Sequence, residues 1–327
     1  MSIRSQVRAL LPASLRARLR HVLDVVDTEW HHLFHRKAIR RRLEELRKLP
    51  RGLHVEGTNI CNASCVFCAY PQMERRKTTM SMDDFRKVVD DYVEMGGRSV
   101  SLTPIVGDPF VDKHMFERLD DLMARDEVRS ISFYTNAILM TREKSERLMA
   151  YAEKLHVHVS WGGFDAATWN EIMGVAKFEA ARDAVLDFIE LKETTATAIP
   201  FTLALRCPPS ACHGELWDRL RALESKGLVE IADMPDYDSW AGKVTPEALD
   251  SVGLTPRKMP YKRGACELLF TKPVVLANGD VNACACRDVE AELVVGSTDG
   301  RLCAFKGLAR GAPSLWRVAH GLGTVTA

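Results

Sequence analysis

From Leu53 to Asp233 short β-rich runs alternate with helical patterns, and this alternation limits the fold more than any other feature. The strand candidates are "LHVEGT" (53–58), "SVSLTP" (99–104), "SISFYT" (130–135), "HVHVS" (156–160), "PFTLAL" (200–205) and "VEIAD" (229–233). Helical stretches fall near 81–95, 113–125, 142–153, 177–192 and 214–226. Strand–helix units of this kind build a parallel sheet. Six strands are too few for a closed eight-stranded barrel, so the expected α/β fold is a curved, partly open (βα)6 barrel. Its functional rim lies at the C-terminal ends of the strands.

The loop after the first strand reads "CNASCVFCAY" and holds Cys61, Cys65 and Cys68. The chain has nine cysteines in 327 residues, an odd and clustered set that is no disulfide scaffold. Reduced thiols in a reducing, cytoplasmic compartment, several of them on metal, are expected. Closely spaced thiolates suit soft metals and iron–sulfur clusters. A closed zinc site needs a fourth ligand nearby, and neither Cys nor His occurs between Cys68 and His114. Three cysteines can instead hold three irons of a 4Fe–4S cluster and leave the fourth iron open.

Cys61-x-x-x-Cys65-x-x-Cys68 resembles the signature of the radical S-adenosylmethionine (SAM) superfamily, with Phe67 at the aromatic position before the last cysteine. "VGDP" (Val106–Pro109), with Gly107 and Asp108, resembles the family's Gly-Gly-Glu-Pro segment, which holds the SAM amino group. Val106 replaces its first glycine and Asp108 its glutamate. "YTNA" (Tyr134–Ala137), with Asn136, resembles the Thr-Asn-Gly segment. "VSWGGFDAATWNEIMG" (Val159–Gly174) resembles the Ser-x-Asp-Gly segment. There Ser160 matches a serine that contacts SAM, and Gly162 stands where aspartate is usual. The resemblance implies a 4Fe–4S cluster on three cysteines, with SAM on the open iron. It further implies reductive cleavage to a 5′-deoxyadenosyl radical, hydrogen abstraction from a substrate C–H, and an electron donor such as flavodoxin or ferredoxin.

After about residue 234 the pattern changes. "MPDYDSWAGKVTPEALDSVGLTPRKMPYKRG" is loop-like, and "CELLFTKPVVLANGDVNACACRD" (266–288) reads as a β-hairpin around an "NGD" turn. Cys266-x12-Gly279-x4-Cys284 resembles the start of the SPASM or shorter twitch extension, which binds auxiliary 4Fe–4S clusters. The implied ligands are Cys266, Cys284 and Cys286, with Cys303 as candidate fourth; Cys207 and Cys212 are alternatives. The expected domains are a basic helical extension (1–51), the partial barrel (52–234), and a linker with a small auxiliary-cluster domain (235–327). A zinc knuckle or free thiols is the other reading of the last group.

Softer candidates stand at the rim. Arg206 ends the fifth strand, where it could take the SAM carboxylate or a substrate anion. Cys207 follows it, while Tyr70, Asp236, Tyr237, Asp238 and Trp240 flank the cluster loop and the linker. The leading reading is radical oxidation of a small polar substrate, carbohydrate or aminocyclitol-like. The alternatives are an epimerase, a peptide maturase, and an iron–sulfur regulatory protein.

Net charge is +1 but uneven: residues 1–51 hold 13 Lys and Arg against 5 Asp and Glu, and the remainder carries a net −7. Leu15, Leu19, Val22, Val26 and Leu33 fall at near-helical spacing, and "RRRLEELRK" continues helically. A helical cap with a solvated basic face is the plain reading of this piece. Contact with an anionic surface, carrier or substrate is the other. The "HHLFH" histidines belong to a surface helix. No nucleic-acid partner is expected, and no apolar run approaches the roughly 20 residues of a membrane span.

Overall fold

The computed structural model describes residues 13–46, 51–103, 105–234, 236–257, 266, 268–284 and 287–298. Cys286 and Cys303 lie outside the described residues. Two helices open the chain, α1 (Ala13–Phe34) and α2 (Arg36–Leu46). Then come β1 (Leu53–Val55), α3 (Met82–Glu94), β2 (Ser99–Ser101), α4 (Met115–Met123), β3 (Ser130–Thr135) and α5 (Arg142–Met149). β4 (Leu155–Trp161), α6 (Ala166–Met173), α7 (Phe178–Thr194), β5 (Phe201–Leu205), α8 (Glu215–Ser225) and β6 (Glu230–Asp233) complete the barrel. The chain continues through α9 (Pro246–Asp250), α10 (Leu268–Thr271), β7 (Val274–Val275), β8 (Asp280–Asn282) and β9 (Val294–Ser297).

β1 to β6 lie side by side in chain order and every neighbouring pair is parallel. This is the open βα half-barrel that the alternation predicts. Period-two patterning sets which face is buried. In β4, Leu155, Val157, Val159 and Trp161 turn outward into the helical layer and are buried, while His156, His158 and Ser160 are half-buried on the other face. Phe85, Leu119, Leu122, Leu148, Phe188 and Ile189 cover the outer face from the helices. Truncating one of the fully buried aromatics, such as Phe133 or Phe188, costs about 3–5 kcal/mol.

Local chemistry starts and stops the helices. Ser81 caps α3 by accepting from the Asp84 amide, and Asp165 caps α6 through Thr168. The helix α6 falls inside the stretch 159–174, read above only as a cofactor segment.

The hairpin after the linker takes a place in the main sheet. β7 pairs parallel with β1, β8 pairs antiparallel with β7, and β9 with β8, giving the order β6-β5-β4-β3-β2-β1-β7-β8-β9. The third strand, β9, escaped the sequence reading because "VVGS" is too short to show alternation. At the other edge the Glu224 carboxylate accepts from the Ile231 amide and caps part of β6.

Candidate active site

The C-terminal ends of the strands open into a cavity of about 350 Å³. Cys61, Cys65 and Cys68 share its wall with Phe67, Gly107, Asp108, Asn136, Ser160, Arg206 and Tyr237. Segments from five strand ends, β1 to β5, and from the linker therefore meet here.

Backbone bonds hold the cysteine loop against helix α6. The Ser64 and Val66 amides donate to the carbonyls of Met173 and Ile172, at 3.2 and 2.9 Å. The last turn of a helix has free carbonyls to offer. Gly174 ends α6 at φ +66°, and a Cβ there would stand 2.1 Å from the Ser64 carbonyl oxygen. Only glycine permits both that conformation and that approach. The sulfur of Met173 lies 3.9 Å from Cys65 Sγ. Neither Met173 nor Gly174 was singled out from the sequence for a structural role, although a glycine closing a helical stretch was the available signal.

A second close approach sets the other side. Gly107 has φ +107°, and a Cβ would meet the Thr58 carbonyl at 2.3 Å. The Asp108 amide then donates to the Ile60 carbonyl, which fastens the segment beside the loop. The Asp108 carboxylate is turned onto β3. It accepts from the Phe110 amide at 3.0 Å, from Thr135 Oγ1 at 2.8 Å and from the Asn136 amide at 2.8 Å. Burial raises its pKa, and those three donors oppose the rise. Asp108 thus joins two strand ends; most of its acceptor capacity is already in use. Asn136 donates through Nδ2 to Asn62 Oδ1 at 2.7 Å and lies 3.8 Å from Cys61 Sγ.

The linker forms the facing wall. The Trp240 indole donates to the Phe67 carbonyl at 3.0 Å, and the Tyr237 ring lies 5.7 Å from the Phe67 ring. The Arg206 guanidinium sits over the Phe67 ring, 5.5 Å from its centroid. Arg206 Nε and the Tyr237 hydroxyl are both buried without a hydrogen-bond partner among the described residues. Burial pushes the Tyr237 phenol up to about 12. Asp238 accepts from the Trp240 amide and pairs with Arg287 at 2.5 Å. Asp238 lines the cavity, so Arg287 stands against its wall.

Behind the loop, Glu56 at the end of β1 is fully buried and holds Arg75 through two bonds of 2.8 and 3.0 Å. The Glu74 and Arg75 amides donate to Glu290, which also pairs with Lys243 at 2.8 Å. An acid inside the apolar run "LHVEGT" was the sequence signal for this anchor.

Not every predicted residue faces the cavity. Pro109 is buried at the start of a short 3-10 turn, Pro109–Val111, and is not on the wall. Cys207 packs into the core, and Cys212, packed against the same core, directs its thiol to the Pro208 carbonyl at 4.0 Å. Cys266 is exposed and Cys284 half-buried.

Burial raises the pKa of all three loop thiols, Cys61 to about 12 with the Asp108 charge as the second cause. A metal displaces such protons and converts the thiols to ligands. Among the described residues no group of three or more His, Cys, Asp or Glu side chains is arranged to hold a metal ion. A 4Fe–4S cluster makes a different demand, because each thiolate binds a separate iron. Three soft donors spread along one cavity wall fit that group better than they fit zinc.

The sequence model of the Radical SAM superfamily matches residues 55–202. A GTP 3′,8-cyclase of Desulforamulus reducens is 24% identical over 143 residues, 43% of this chain and 43% of that protein. The antilisterial bacteriocin subtilosin biosynthesis protein AlbA of Bacillus subtilis is 26% identical over 129 residues, 39% of this chain and 28% of that protein. The chain thus spans well under half the length of these curated relatives. Streptococcus suis SuiB, solved bound to the precursor peptide SuiA, superposes with a TM-score of 0.51 at 16% identity. That match covers 83% of this chain and 68% of SuiB. Residues 55–202 thus match the radical SAM superfamily, and the partly open parallel sheet with the three-cysteine loop at its rim agrees with that match.

Proposed function

We propose that this chain is a radical SAM enzyme that oxidises a C–H position of a small polar substrate, carbohydrate or aminocyclitol-like. The observation that carries the reading is the shared wall: Cys61, Cys65 and Cys68 face one cavity with Gly107, Asn136 and Ser160. When bound there, a 4Fe–4S cluster with SAM on its open iron supplies reductive SAM cleavage and hydrogen abstraction.

The chain's own residues hold and shield that chemistry. The three cysteines would hold three irons, and the Asn136 amide, 3.8 Å from the Cys61 sulfur, orients that ligand. Gly107 lines the wall where the SAM amino group would sit, and Ser160 offers a hydroxyl from the end of β4. Ala63, Ile105, Val106 and Met173 make the wall apolar and keep water from the reacting centre. Arg206 and Tyr237 present unpaired polar groups that fix the orientation of a bound molecule. Cys266, Cys284, Cys286 and Cys303 are proposed to hold an auxiliary cluster. The Asp238–Arg287 pair supports that assignment by holding Arg287, next to Cys286 in the sequence, against the cavity wall. A flavodoxin or ferredoxin is the proposed electron source.

Anaerobic reconstitution with iron and sulfide, followed by reduction with SAM present, tests the reading. Formation of 5′-deoxyadenosine, abolished in the Cys61→Ala/Cys65→Ala/Cys68→Ala variant, is expected. An intact cluster that never cleaves SAM would sink it. About four irons retained by the triple variant would support the auxiliary cluster, and none would remove it.

A further inference from the structure

Helix α1 carries an apolar stripe left uncovered by the rest of the described chain. Val22, Leu23, Val26, Trp30, Leu33 and Phe34 are each between 55% and 65% exposed. At the helical pitch they fall within an arc of about 120°. They are six of the nine large apolar side chains exposed among the described residues, so the exposure is concentrated on one helix face. Trp30 and Phe34 lie ring to ring at 4.1 Å. The acids of the same helix, Asp24, Asp27 and Glu29, fall outside the arc.

Directly after the stripe, Arg36, Lys37, Arg40, Arg41 and Arg42 of α2 are all exposed. No carboxylate pairs with them among the described residues. Aromatic and aliphatic side chains beside arginines without a carboxylate partner match the layering of a bilayer surface, with acyl chains below and phosphates above. We propose that α1 and α2 dock this chain on an anionic membrane surface, with the stripe in the acyl boundary and the arginines among the headgroup phosphates.

Charge distribution selects this occupant. Residues 1–51 carry a net +8 and the remainder a net −7, so an anionic surface attracts the helices and repels the body. Stripe-to-stripe pairing with a second copy would set one cationic piece against another, and like charges oppose that contact. No helix among the described residues is long and apolar enough to cross a membrane, which leaves α1 lying on the surface.

The full-length chain is tested by co-sedimentation with phosphatidylcholine vesicles containing about 30% phosphatidylglycerol, and with phosphatidylcholine alone. Binding to the anionic vesicles is expected. It should weaken roughly tenfold on neutral vesicles, and again when salt rises from about 0.1 to about 0.5 M. The Trp30→Ser/Phe34→Ser and Arg40→Gln/Arg41→Gln/Arg42→Gln variants should each lose at least that much while keeping the wild-type melting temperature. Absence of binding by the wild type, or equal binding by the stripe variant, overturns the proposal. So does a dimer in analytical ultracentrifugation that the stripe variant abolishes while vesicles capture neither protein, because the stripe is then a contact between copies.

Discussion

The Trp240 indole donates a hydrogen bond to the carbonyl of Phe67, 173 positions earlier, and so closes the linker over the cysteine loop. Trp240 and its neighbour Ala241 sit at φ +50° and +55°, in the left-handed region that non-glycine residues avoid. Strain of that kind persists only where surrounding contacts enforce it. Here the enforcing contacts are the indole bond and the Asp238 carboxylate on the Trp240 amide. Trp240→Phe keeps the ring and removes the donor. A loss of about 1 kcal/mol in urea unfolding is expected, with faster iron release from the reconstituted protein. Unchanged iron retention would show that the loop holds its shape without the linker.

Gly174→Ala tests the opposite side of the same loop. The φ of +66° disfavours alanine by about 1 kcal/mol, and the added methyl collides with the Ser64 carbonyl. The expected result is a folded protein with a lowered melting temperature and less iron per chain. Gly227 supplies the control: it also has positive φ, at +75°, with open space around its Cβ position. Gly227→Ala should cost stability without changing iron content.

Removing one partner of the Glu56–Arg75 pair strands a buried charge. Glu56→Gln or Arg75→Met should each destabilise by about 3–5 kcal/mol. The double variant should lose less than the sum, since no uncompensated charge remains. Additive losses in urea titrations would mean that the two groups act independently.

Asp108→Ala leaves the Phe110 and Asn136 amides and the Thr135 hydroxyl without their acceptor inside the protein. A loss of about 2–4 kcal/mol is expected, larger than for Asp108→Asn, whose amide oxygen still accepts. A stability change below about 0.5 kcal/mol in the alanine variant would refute the joining role given to this carboxylate.

Burial sets a pH dependence through two histidines. His54 is lowered to about 4 by burial and then by Lys272; His158 is lowered to about 4 by burial and then by His156. The unfolded chain protonates them near the ordinary 6.5. Between 4 and 6.5 the unfolded state therefore binds more protons, and stability rises with pH across that window. The contribution is complete above 6.5 and is lost as pH falls toward 4. The urea midpoint should be lower at pH 5 than at pH 7, and His54→Gln should flatten part of that difference. An unchanged slope in the variant would show that His54 titrates alike in both states.

Local order determined what the chain revealed unaided. Alternation at period two and helical spacing are short-range patterns, so β1 to β6 and five of the six helices between them were legible before any coordinates; α6 was not. Three thiols in eight residues must share one loop, and a loop after β1 must stand at the rim, so Cys61, Cys65 and Cys68 were legible too. Tertiary structure alone decided how distant segments complete the site. The pairing of β7 with β1, the indole of Trp240 on Phe67 and the buried Glu56–Arg75 anchor join residues far apart in sequence, where no period or spacing connects them. The same holds for Asp108, whose carboxylate could be assigned to β3 only once Thr135 and Asn136 were seen to converge on it. Such contacts arise because burial of the whole chain forces each interior polar group to find a partner, and local sequence does not say which one is near.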